Sequence, residues 1–596
     1  MYPVGVGSSF YLLLHSLHLP WSFPYSLACP LISLVALLCL SLRVKRPSKP
    51  NTAPVTLPGL RIFSILPFFG QRHDFLSHGF RVTGQNVFQF NLLRNPVLVV
   101  SGEKGRRDFF NAKGLDLQEG FRVLSGALPF VTGITSDLRQ KRINQIYKRL
   151  GSAQHTERLE NLIPAILGDC RNIMDSWGKS GSFDPFNTVY EVVFQTTVRA
   201  LTCSEIANDP LVVARLRKLY DQVDRGTTPA TVLFPWFPSP AMIRKASATK
   251  QIYDIVVKAV NVRKQNGVMQ DDSLQMLLNE GDDHAMIVGF IMGLVIAGAR
   301  STGTIASWLI TFLGCHPTWR MKALEEVRGL LLLAATQSQS THAGDSPQVD
   351  SSHSTTTPKP RTPSESESYP SSNHPRQPEP ITVLPPPLPS SSSSTSSSPP
   401  PPRTPSSAYT ALSSIPLSTW ESSTPILDSL IRETLRIAQP HVAMRRNVGP
   451  EVYIDGKALP SGAFAVYPFS DVHLNEGIYE EPWRFDPGRW EGGKEGGKEG
   501  KEKGEFGYIG WGGGRVNCLG KRLAQLEIKL IAAMFVLSFD FTIVDATGKA
   551  ADPHPRPNWN DILACRPTNG VFALRYESAG ADAGGQGKPG SGESSV

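Results

Sequence analysis

The residue best suited to hold a metal in this chain is a cysteine in a glycine-rich loop near the C-terminus. Cys518 lies in the stretch WGGGRVNCLG at residues 511–520, and a long apolar segment follows at residues 521–539. Glycines let backbone N–H groups approach the sulfur, and the N-terminus of a following helix adds positive potential, so this setting favours a thiolate. A lone cysteine beside a glycine turn is more often an ordinary buried thiol. The prediction that Cys518 is a metal ligand therefore rests on the whole ten-residue pattern.

These ten residues resemble the haem-binding loop of the cytochromes P450. That loop has an aromatic residue, two glycines, a basic residue, the cysteine and a final glycine. The matching positions are Trp511, Gly512, Gly514, Cys518 and Gly520. Val516 stands where the basic residue is usual, and we expect Arg515 to contact a haem propionate instead. The resemblance implies haem b with Cys518 as the axial thiolate, a ligand that favours O–O cleavage.

Further segments resemble the same family in the same order. Glu433 and Arg436 match the helical ExxR pair, and residues 485–490 match the segment that supplies a second arginine to that glutamate. This arrangement implies a buried clamp without catalytic chemistry. Arg142 and Arg446 fall where propionate-binding arginines lie, although a solvated surface charge is the alternative for each.

A stretch of residues 285–299 carries no charge and is short for a membrane span, so it is predicted to be a buried core helix. Its glycines at 289, 293 and 298 would allow close approach of a flat cofactor. It continues into residues 297–302, which resemble the family's oxygen-activation stretch AGx(D/E)T(T/S). Arg300 replaces the acidic residue and Ser301 the usual threonine. We expect Ser301 and Thr302 to relay protons to bound dioxygen, unless both hydroxyls only bond to the preceding turn.

The resemblance implies a mainly α fold with a small β lobe, forming one large haem domain. The implied reaction inserts one oxygen atom from O₂ into a hydrophobic organic substrate, with electrons from an NADPH-dependent cytochrome P450 reductase. Lys521, Arg522 and Arg515 form either a basic landing patch for that reductase or ordinary solvated charges.

Two alternatives to this function stay open. One is a peroxide isomerase or dehydratase that needs no reductase, because Arg300 and Ser301 alter the oxygen-activation stretch. The other is an added interaction role for the Pro/Ser-rich tract.

The elements that must position these residues are mostly helical. Apolar recurrence at three and four residues predicts helices at residues 136–150, 153–177, 211–225 and 247–263. The catalytic domain is placed at residues 59–576. It is interrupted by a Ser/Pro-rich insertion at 336–411, predicted to be disordered, and by a Gly/Lys/Glu tract at 491–504. A Gly/Ser tail is predicted at 577–596.

The N-terminal segment predicts a membrane anchor. Residues 25–42 carry no charge, Arg43, Lys45 and Arg46 follow, and residues 1–24 contain no Lys or Arg. Basic residues stay on the cytoplasmic side, so residues 1–46 predict a single-pass anchor with the catalytic domain in the cytosol. The resemblance implies that the membrane is that of the endoplasmic reticulum. A cleaved signal peptide is the alternative, but its basic start is missing. A Pro-rich hinge is predicted at residues 47–58.

Composition excludes several other classes of protein. The net charge of +8 comes without a basic stripe interleaved with aromatic residues, so no nucleic-acid partner is expected. The seven cysteines include no CxxC pair. A disulfide framework and a zinc ribbon are therefore not expected.

Overall fold

The computed structural model describes residues 52–59, 64–125, 140–234, 237–342, 404–491 and 504–579. The predicted anchor at 1–46, almost all of the tail at 577–596 and most of both low-complexity tracts lie outside these described residues. The chain divides into a large unit, Met1–Leu331 with Pro402–Val596, and a small unit, Leu332–Pro401. Of the small unit, residues 332–342 are described, and they form the end of a helix.

The described helices carry most of the large unit. In chain order they are α1 (Ile65–Gly70), α2 (Arg72–Thr83), α3 (Gly102–Asn111), α4 (Leu117–Ser125), α5 (Gln140–Ala153), α6 (Thr156–Asp175), α7 (Pro185–Leu201), α8 (Ser204–Ala207), α9 (Pro210–Arg225), α10 (Pro229–Leu233), α11 (Pro240–Asn266), α12 (Ser273–Asn279), α13 (His284–Cys315), α14 (Pro317–His342), α15 (Pro405–Leu412), α16 (Leu417–Ser422), α17 (Pro425–Ile437), α18 (Ser470–His473) and α19 (Lys521–Ser538). A short 3₁₀ helix at Pro487–Trp490 precedes the second tract.

The described strands form four small sheets. The strands are β1 (Val55–Thr56), β2 (Val87–Leu92), β3 (Asn95–Val100), β4 (Leu115–Asp116), β5 (Ser180–Phe183), β6 (Val442–Asn447), β7 (Val452–Ile454), β8 (Lys457–Leu459), β9 (Phe464–Pro468), β10 (Gly512–Gly513), β11 (Val516–Asn517), β12 (Phe539–Val544) and β13 (Ala573–Ser578). The largest sheet has the order β1-β2-β3-β9-β6-β4, a three-stranded sheet has the order β12-β13-β5, and β7-β8 and β10-β11 are two-stranded. The predicted class, mainly α with a small β lobe, is confirmed.

The central helix α13 is apolar on nearly every face because it packs against helices on several sides. It contacts α7, α19, α11 and α17. Asp283 caps its N-terminus by accepting a hydrogen bond from the Met286 N–H at 2.7 Å. Among the described residues, α13 is also the helix long and apolar enough to cross a membrane. Its buried position identifies it as the core helix that the sequence predicted.

Two predicted boundaries change. Helices α5 and α6 confirm the predicted pair but break at residues 154–155, where the Gln154 side chain accepts a hydrogen bond from the Leu523 N–H at 3.2 Å. The predicted disordered insertion at 336–411 is wrong at both ends, because α14 continues to His342 and α15 begins at Pro405. Thr404 forms a capping box with Ser407, and Leu412 is fully buried. Helix α15 has only 8 residues. Its few apolar residues do not show in a composition averaged over a long stretch of sequence.

Candidate functional site

Cys518 directly follows a two-stranded glycine hairpin. Strand β10 pairs antiparallel with β11, and the Cys518 N–H donates to the Trp511 carbonyl at 2.7 Å. Gly512 has φ +92° and Gly514 has φ +64°, in the left-handed region that favours glycine. The hairpin places Cys518 next to the N-terminus of α19, as the sequence predicted.

The glycines of this hairpin are also required by close packing. A Cβ on Gly514 would lie 2.3 Å from the Phe110 carbonyl oxygen, and one on Gly512 would lie 2.6 Å from that of Val516. Phe110 belongs to α3, so the hairpin lies directly on the end of that helix. A Cβ on Gly520 would meet no atom of the described residues within 4 Å.

Three hydrogen bonds tie the segment before the hairpin to the core. The Ile509 N–H donates to His473 Nε2 at 3.1 Å, and Gln439 Nε2 donates to the Gly510 carbonyl at 3.0 Å. The Tyr479 hydroxyl donates to the Gly507 carbonyl at 2.8 Å. His473 and Gln439 both lie close to α17, so the position of the cysteine loop depends on that helix.

Glu433 and Arg436 form the predicted buried clamp on α17. Both side chains are 0% exposed, and Arg436 donates to Glu433 from Nε at 2.9 Å and from Nη2 at 2.7 Å. Arg489 supplies the predicted second cation, with Nε 3.4 Å from Glu433 Oε1. Arg436 also donates to the His473 carbonyl at 2.7 Å. The clamp therefore supports the same histidine that holds the cysteine loop.

Cys518 is exposed in the structure, as are its neighbours Asn517 and Leu519. Burial raises its pKa above the usual value, while the Gly520 N–H and the Lys521 charge act in the opposite direction. Gln154 holds the adjacent backbone by donating to the Leu519 carbonyl at 2.8 Å. The thiol thus lies beside a helix N-terminus, and burial outweighs the groups that favour its charged form.

Helix α13 presents an accessible stripe among buried residues. Ala297 is exposed and Ser301 is partly exposed, four residues apart and so on one helix face. A Cβ on Gly293, one turn earlier, would meet nothing within 4 Å in the described part of the chain. Gly298 faces α7 instead, where its Cβ would lie 3.5 Å from Thr197 Cγ2. The prediction that these glycines line one face toward a flat cofactor therefore does not hold for Gly298. Gly298 lies five residues after Gly293, and this spacing rotates it about the helix axis by well over a quarter turn.

The structure separates the two hydroxyls predicted to relay protons. Ser301 lies on the accessible stripe, and its hydroxyl donates to the Ala297 carbonyl at 2.8 Å. This bond to the preceding turn is the alternative to a proton relay that the sequence left open. The bond uses the hydroxyl proton but leaves lone pairs on the Ser301 oxygen free to accept. Thr302 is only 5% exposed and lies among core positions. Ser301 is therefore the better placed of the two.

Arg300 is directed away from the stripe. It donates from Nη2 to Asp221 at 2.6 Å and from Nε to Asp224 at 3.0 Å, both on α9. Its guanidinium carbon lies 4.7 Å from the ring centroid of Tyr190. The position where the family has an acid thus carries a cation bound to two acids of another helix.

The predicted propionate arginines are described to different extents. Arg142 lies near the start of α5, and its side chain is outside the described part of the chain. Arg446 donates to Glu119 at 3.1 Å and to the Gly462 carbonyl at 3.2 Å, with 40% of its side chain exposed. Arg515 is exposed at the turn between β10 and β11. Trp511, predicted to contact the cofactor, is partly exposed beside the cysteine.

Sequence reasoning missed Arg445, the neighbour of Arg446. Arg445 is 2% exposed, and among the described residues its buried Nε has no hydrogen-bond acceptor. Its guanidinium carbon lies 4.8 Å from the ring centroid of Phe109 and 5.3 Å from that of Phe110. Burial lowers its pKa to about 10. Successive residues of a strand point to opposite faces, but the sequence does not show which of the two arginines faces the interior.

These features fit a haem. The fold presents an accessible thiol, an open space beside Gly293, and a buried cation with an unused donor next to Phe110, on which the hairpin packs. Such a donor matches an anionic edge such as a propionate. No group of three or more His, Cys, Asp or Glu side chains that could hold another metal occurs among the described residues.

Comparisons with known proteins agree with this geometry. The family described as cytochrome P450 matches residues 421–570. The chain is 24% identical to the cytochrome P450 monooxygenase dmxR5 of Cryptosporiopsis sp. (strain 8999), covering 80% of this chain and 81% of that protein. It is 24% identical to the lanosterol 14-alpha demethylase of Homo sapiens, covering 81% of each.

A solved structure shows the same fold. Cyanobacterial CYP120A1 with retinoic acid bound superposes with a TM-score of 0.59 at 18% identity, covering 88% of this chain and 99% of that one. The order of motifs, the thiol on its glycine hairpin and the buried clamp all agree with these matches. Residues 421–570 thus match the cytochrome P450 family, and about four fifths of the chain is similar to cytochrome P450 monooxygenases.

Proposed function

We propose that this protein binds haem b through Cys518 and inserts one oxygen atom from O₂ into a hydrophobic organic substrate. The observation that carries the proposal is the accessible Cys518 thiol on its glycine hairpin, at the start of a helix that packs against α13. Bound haem supplies the iron at which dioxygen is activated.

The chain's own residues have distinct roles in this proposal. Cys518 supplies the thiolate, and the Gly520 N–H and Lys521 favour its charged form. Arg445, instead of Arg446, donates to a propionate, because its Nε lacks an acceptor among the described residues whereas Arg446 already pairs with Glu119. Ser301 passes protons along the accessible stripe through its hydroxyl and ordered water.

Electrons come from an NADPH-dependent reductase in this proposal. Of the three basic residues considered for its landing patch, Arg522 is already bound, since it donates to Glu421 at 2.5 Å and to the Gln154 carbonyl at 2.7 Å. Docking therefore depends on Lys521 and Arg515. The Arg515→Glu variant should raise the KM for reductase several-fold without changing haem content, and the effect should weaken as salt rises.

The proposed site of action is the endoplasmic reticulum membrane, with residues 1–46 as a single-pass anchor. Deletion of these residues should release the protein from membranes in carbonate extraction. A truncated protein that stays integral to the membrane would show that the anchor lies elsewhere.

The central test is a carbon monoxide difference spectrum of the reduced protein. Wild type should give the band characteristic of thiolate ligation, and the Cys518→Ala variant should lose it. The matched control is Cys315→Ala, which alters the last residue of α13. This variant should keep the band. A normal thiolate band in Cys518→Ala would refute the ligand assignment.

One observation favours a second candidate function, a peroxide isomerase or dehydratase that needs no reductase. Arg300, at the position of the family's acid, is bound to Asp221 and Asp224 and cannot release a proton at physiological pH. Turnover of an organic hydroperoxide without NADPH, at a rate unaffected by reductase, would favour this candidate. NADPH-dependent oxygen consumption would favour the monooxygenase.

A further inference from the structure

A cavity of about 460 Å³ lies beside the cysteine loop. Leu519, the residue after Cys518, lines this cavity and is 53% exposed, so the cavity is open to solvent. The rest of its lining comes from Gln154, α16, the start of α17 and the N-terminal half of α19. The described residues that line it include none of α13, so the cavity is separate from the accessible stripe of that helix. Its volume suits a small organic molecule.

The charges that line the cavity do not balance. Arg522 pairs with Glu421, donating from Nε at 2.5 Å and from Nη2 at 3.1 Å. Lys529 Nζ lies 2.7 Å from Asp428 Oδ1. Lys521 also lines the cavity and takes part in no ion pair with the described residues. Three cations and two carboxylates therefore leave one positive charge, which belongs to Lys521.

The two paired cations are also held by backbone carbonyls. Arg522 donates from Nη1 to the Gln154 carbonyl at 2.7 Å, and Lys529 donates to the Trp420 carbonyl at 2.9 Å. Neither can turn toward a ligand without losing several hydrogen bonds. Lys521 is half-buried and makes no side-chain hydrogen bond in the described part of the chain. It is therefore the cation left to bind a ligand.

Apolar and polar groups adjoin this charge in the cavity. Leu519 is exposed there, and the lining also includes Leu526 and Trp420, which are 3% and 0% exposed. The amide of Gln525 is bonded only weakly, from Nε2 to Asp428 Oδ1 at 3.4 Å, and the residue is partly exposed. A free cation beside hydrocarbon and an amide complements a molecule with one acidic group and an apolar body.

We infer that this cavity is a binding site for a small organic anion, whose acidic group pairs with Lys521 and whose apolar part contacts Leu519. The acidic group is a carboxylate or a phosphate ester, because both accept charge-assisted hydrogen bonds from an ammonium group. The site lies on the opposite side of the cysteine from no known substrate stripe residue that it shares, so the anion is a regulatory ligand and not the molecule that is oxidised.

Occupancy of the cavity affects electron supply, and this consequence rests on the proposed function. Docking of the reductase there depends on Lys521 and Arg515. An anion paired with Lys521 lowers the positive charge of that surface, so the bound ligand hinders docking. The KM for reductase should therefore rise several-fold with saturating benzoate and stay the same with benzamide, the neutral molecule of the same shape.

Binding is measured by titration calorimetry on the full-length protein with its cofactor. The probes are benzoate, phenyl phosphate and benzamide. Lys521→Met removes the free charge, and Lys258→Met, at an exposed position of α11, is its control. Gln525→Glu and Gln525→Lys change the charge of the cavity without touching the cysteine loop. Gln222→Glu and Gln222→Lys make the same changes at an exposed position of α9.

In wild type, benzoate or phenyl phosphate should bind about tenfold or more tightly than benzamide. Lys521→Met should remove this preference, and Lys258→Met should keep it. Gln525→Glu should weaken anion binding several-fold and Gln525→Lys should strengthen it, because each places a charge within the cavity. The Gln222 variants should bind as wild type does. Tighter binding of benzoate assigns a carboxylate ligand, and tighter binding of phenyl phosphate assigns a phosphate ester.

Several results would overturn the site. They are equal binding of anions and benzamide by wild type, no binding of either anion, and equal binding by the two Gln525 variants. The Gln525 variants keep the test decisive even if Lys521→Met disturbs the neighbouring loop. An unchanged KM for reductase at saturating benzoate would overturn the regulatory role. A wild type that binds anions as expected yet lacks the thiolate carbon monoxide band would leave the site standing and refute the proposed function instead.

Discussion

Arg300 of α13 and Asp224 of α9 form an ion pair in which Arg300 Nε donates to Asp224 Oδ2 across 3.0 Å. Burial raises the pKa of Asp224, while the adjacent Arg300 charge acts to lower it. The replacement of the family's acid by an arginine is therefore matched by acids on the neighbouring helix. This pairing connects the helix proposed to activate oxygen with α9.

The Arg300–Asp224 pair should contribute measurably to stability. In a double-mutant cycle with Arg300→Met and Asp224→Asn, we expect a coupling free energy of about 1 kcal/mol, decreasing as salt rises, because both side chains are only partly exposed. The exposed Lys250–Asp254 pair of α11 is the control, with about 0.3–0.5 kcal/mol expected. Chemical unfolding at two salt concentrations measures both. A coupling free energy no larger than that of the control would show that the pair stabilises the protein no more than an exposed ion pair does.

Ser301 should govern how oxygen is used. The Ser301→Ala variant removes the hydroxyl on the accessible stripe, so hydrogen peroxide released per NADPH should rise several-fold while the carbon monoxide spectrum stays normal. Thr302→Val is the comparison, and its effect should be on stability because Thr302 lies among core positions. The measurement is peroxide and NADPH in the same reaction. Unchanged peroxide in Ser301→Ala, with turnover still dependent on NADPH, would exclude the relay.

Glu433 should be essential for haem retention. Glu433→Gln leaves the fully buried Arg436 and the nearly buried Arg489 without an anion, which costs about 3–5 kcal/mol for a buried pair. Since Arg436 also supports His473, the cysteine loop should lose its order and the haem content per protein should fall. Glu481→Gln, which alters an exposed pair with Arg484, is the control and should change stability by less than about 0.5 kcal/mol. Full haem content in Glu433→Gln would contradict the clamp.

Glu527 should make the protein less stable as pH rises. This carboxyl of α19 accepts from the Thr196 and Thr197 hydroxyls and is 2% exposed, and burial raises its pKa from 4.5 to about 7. Because the folded pKa is the higher one, its contribution is fully present below pH 4.5 and is lost as pH rises through about 7. The loss amounts to at most about 3 kcal/mol.

Glu527→Gln should therefore remove this part of the pH dependence. The unfolding free energy of the variant should exceed that of wild type above about pH 7, because the neutral amide avoids a buried charge. Asp540→Asn, at an exposed position of β12, is the control and should leave the pH profile unchanged. Parallel wild-type and Glu527→Gln profiles from pH 5 to pH 9 would show that Glu527 does not titrate in this range.

The sequence alone determined the features that depend on local order along the chain. Cys518 and its glycines could be recognised because the hairpin, its positive backbone angles and the helix N-terminus are formed by consecutive residues. The clamp of Glu433 and Arg436 was recognisable for the same reason, since three-residue spacing places both on one helix face. The core helix α13 was evident from a long uncharged run.

Tertiary structure decided which side chain of each local pair faces the interior and which partner it meets. Arg445 and Arg446 are adjacent on β6, and only the neighbouring Phe109 and Glu119 show that the first is buried and the second paired. The acids bound to Arg300 lie more than seventy residues earlier in the chain. Such facts depend on distant segments packing together, and a residue's local sequence does not encode its distant neighbours.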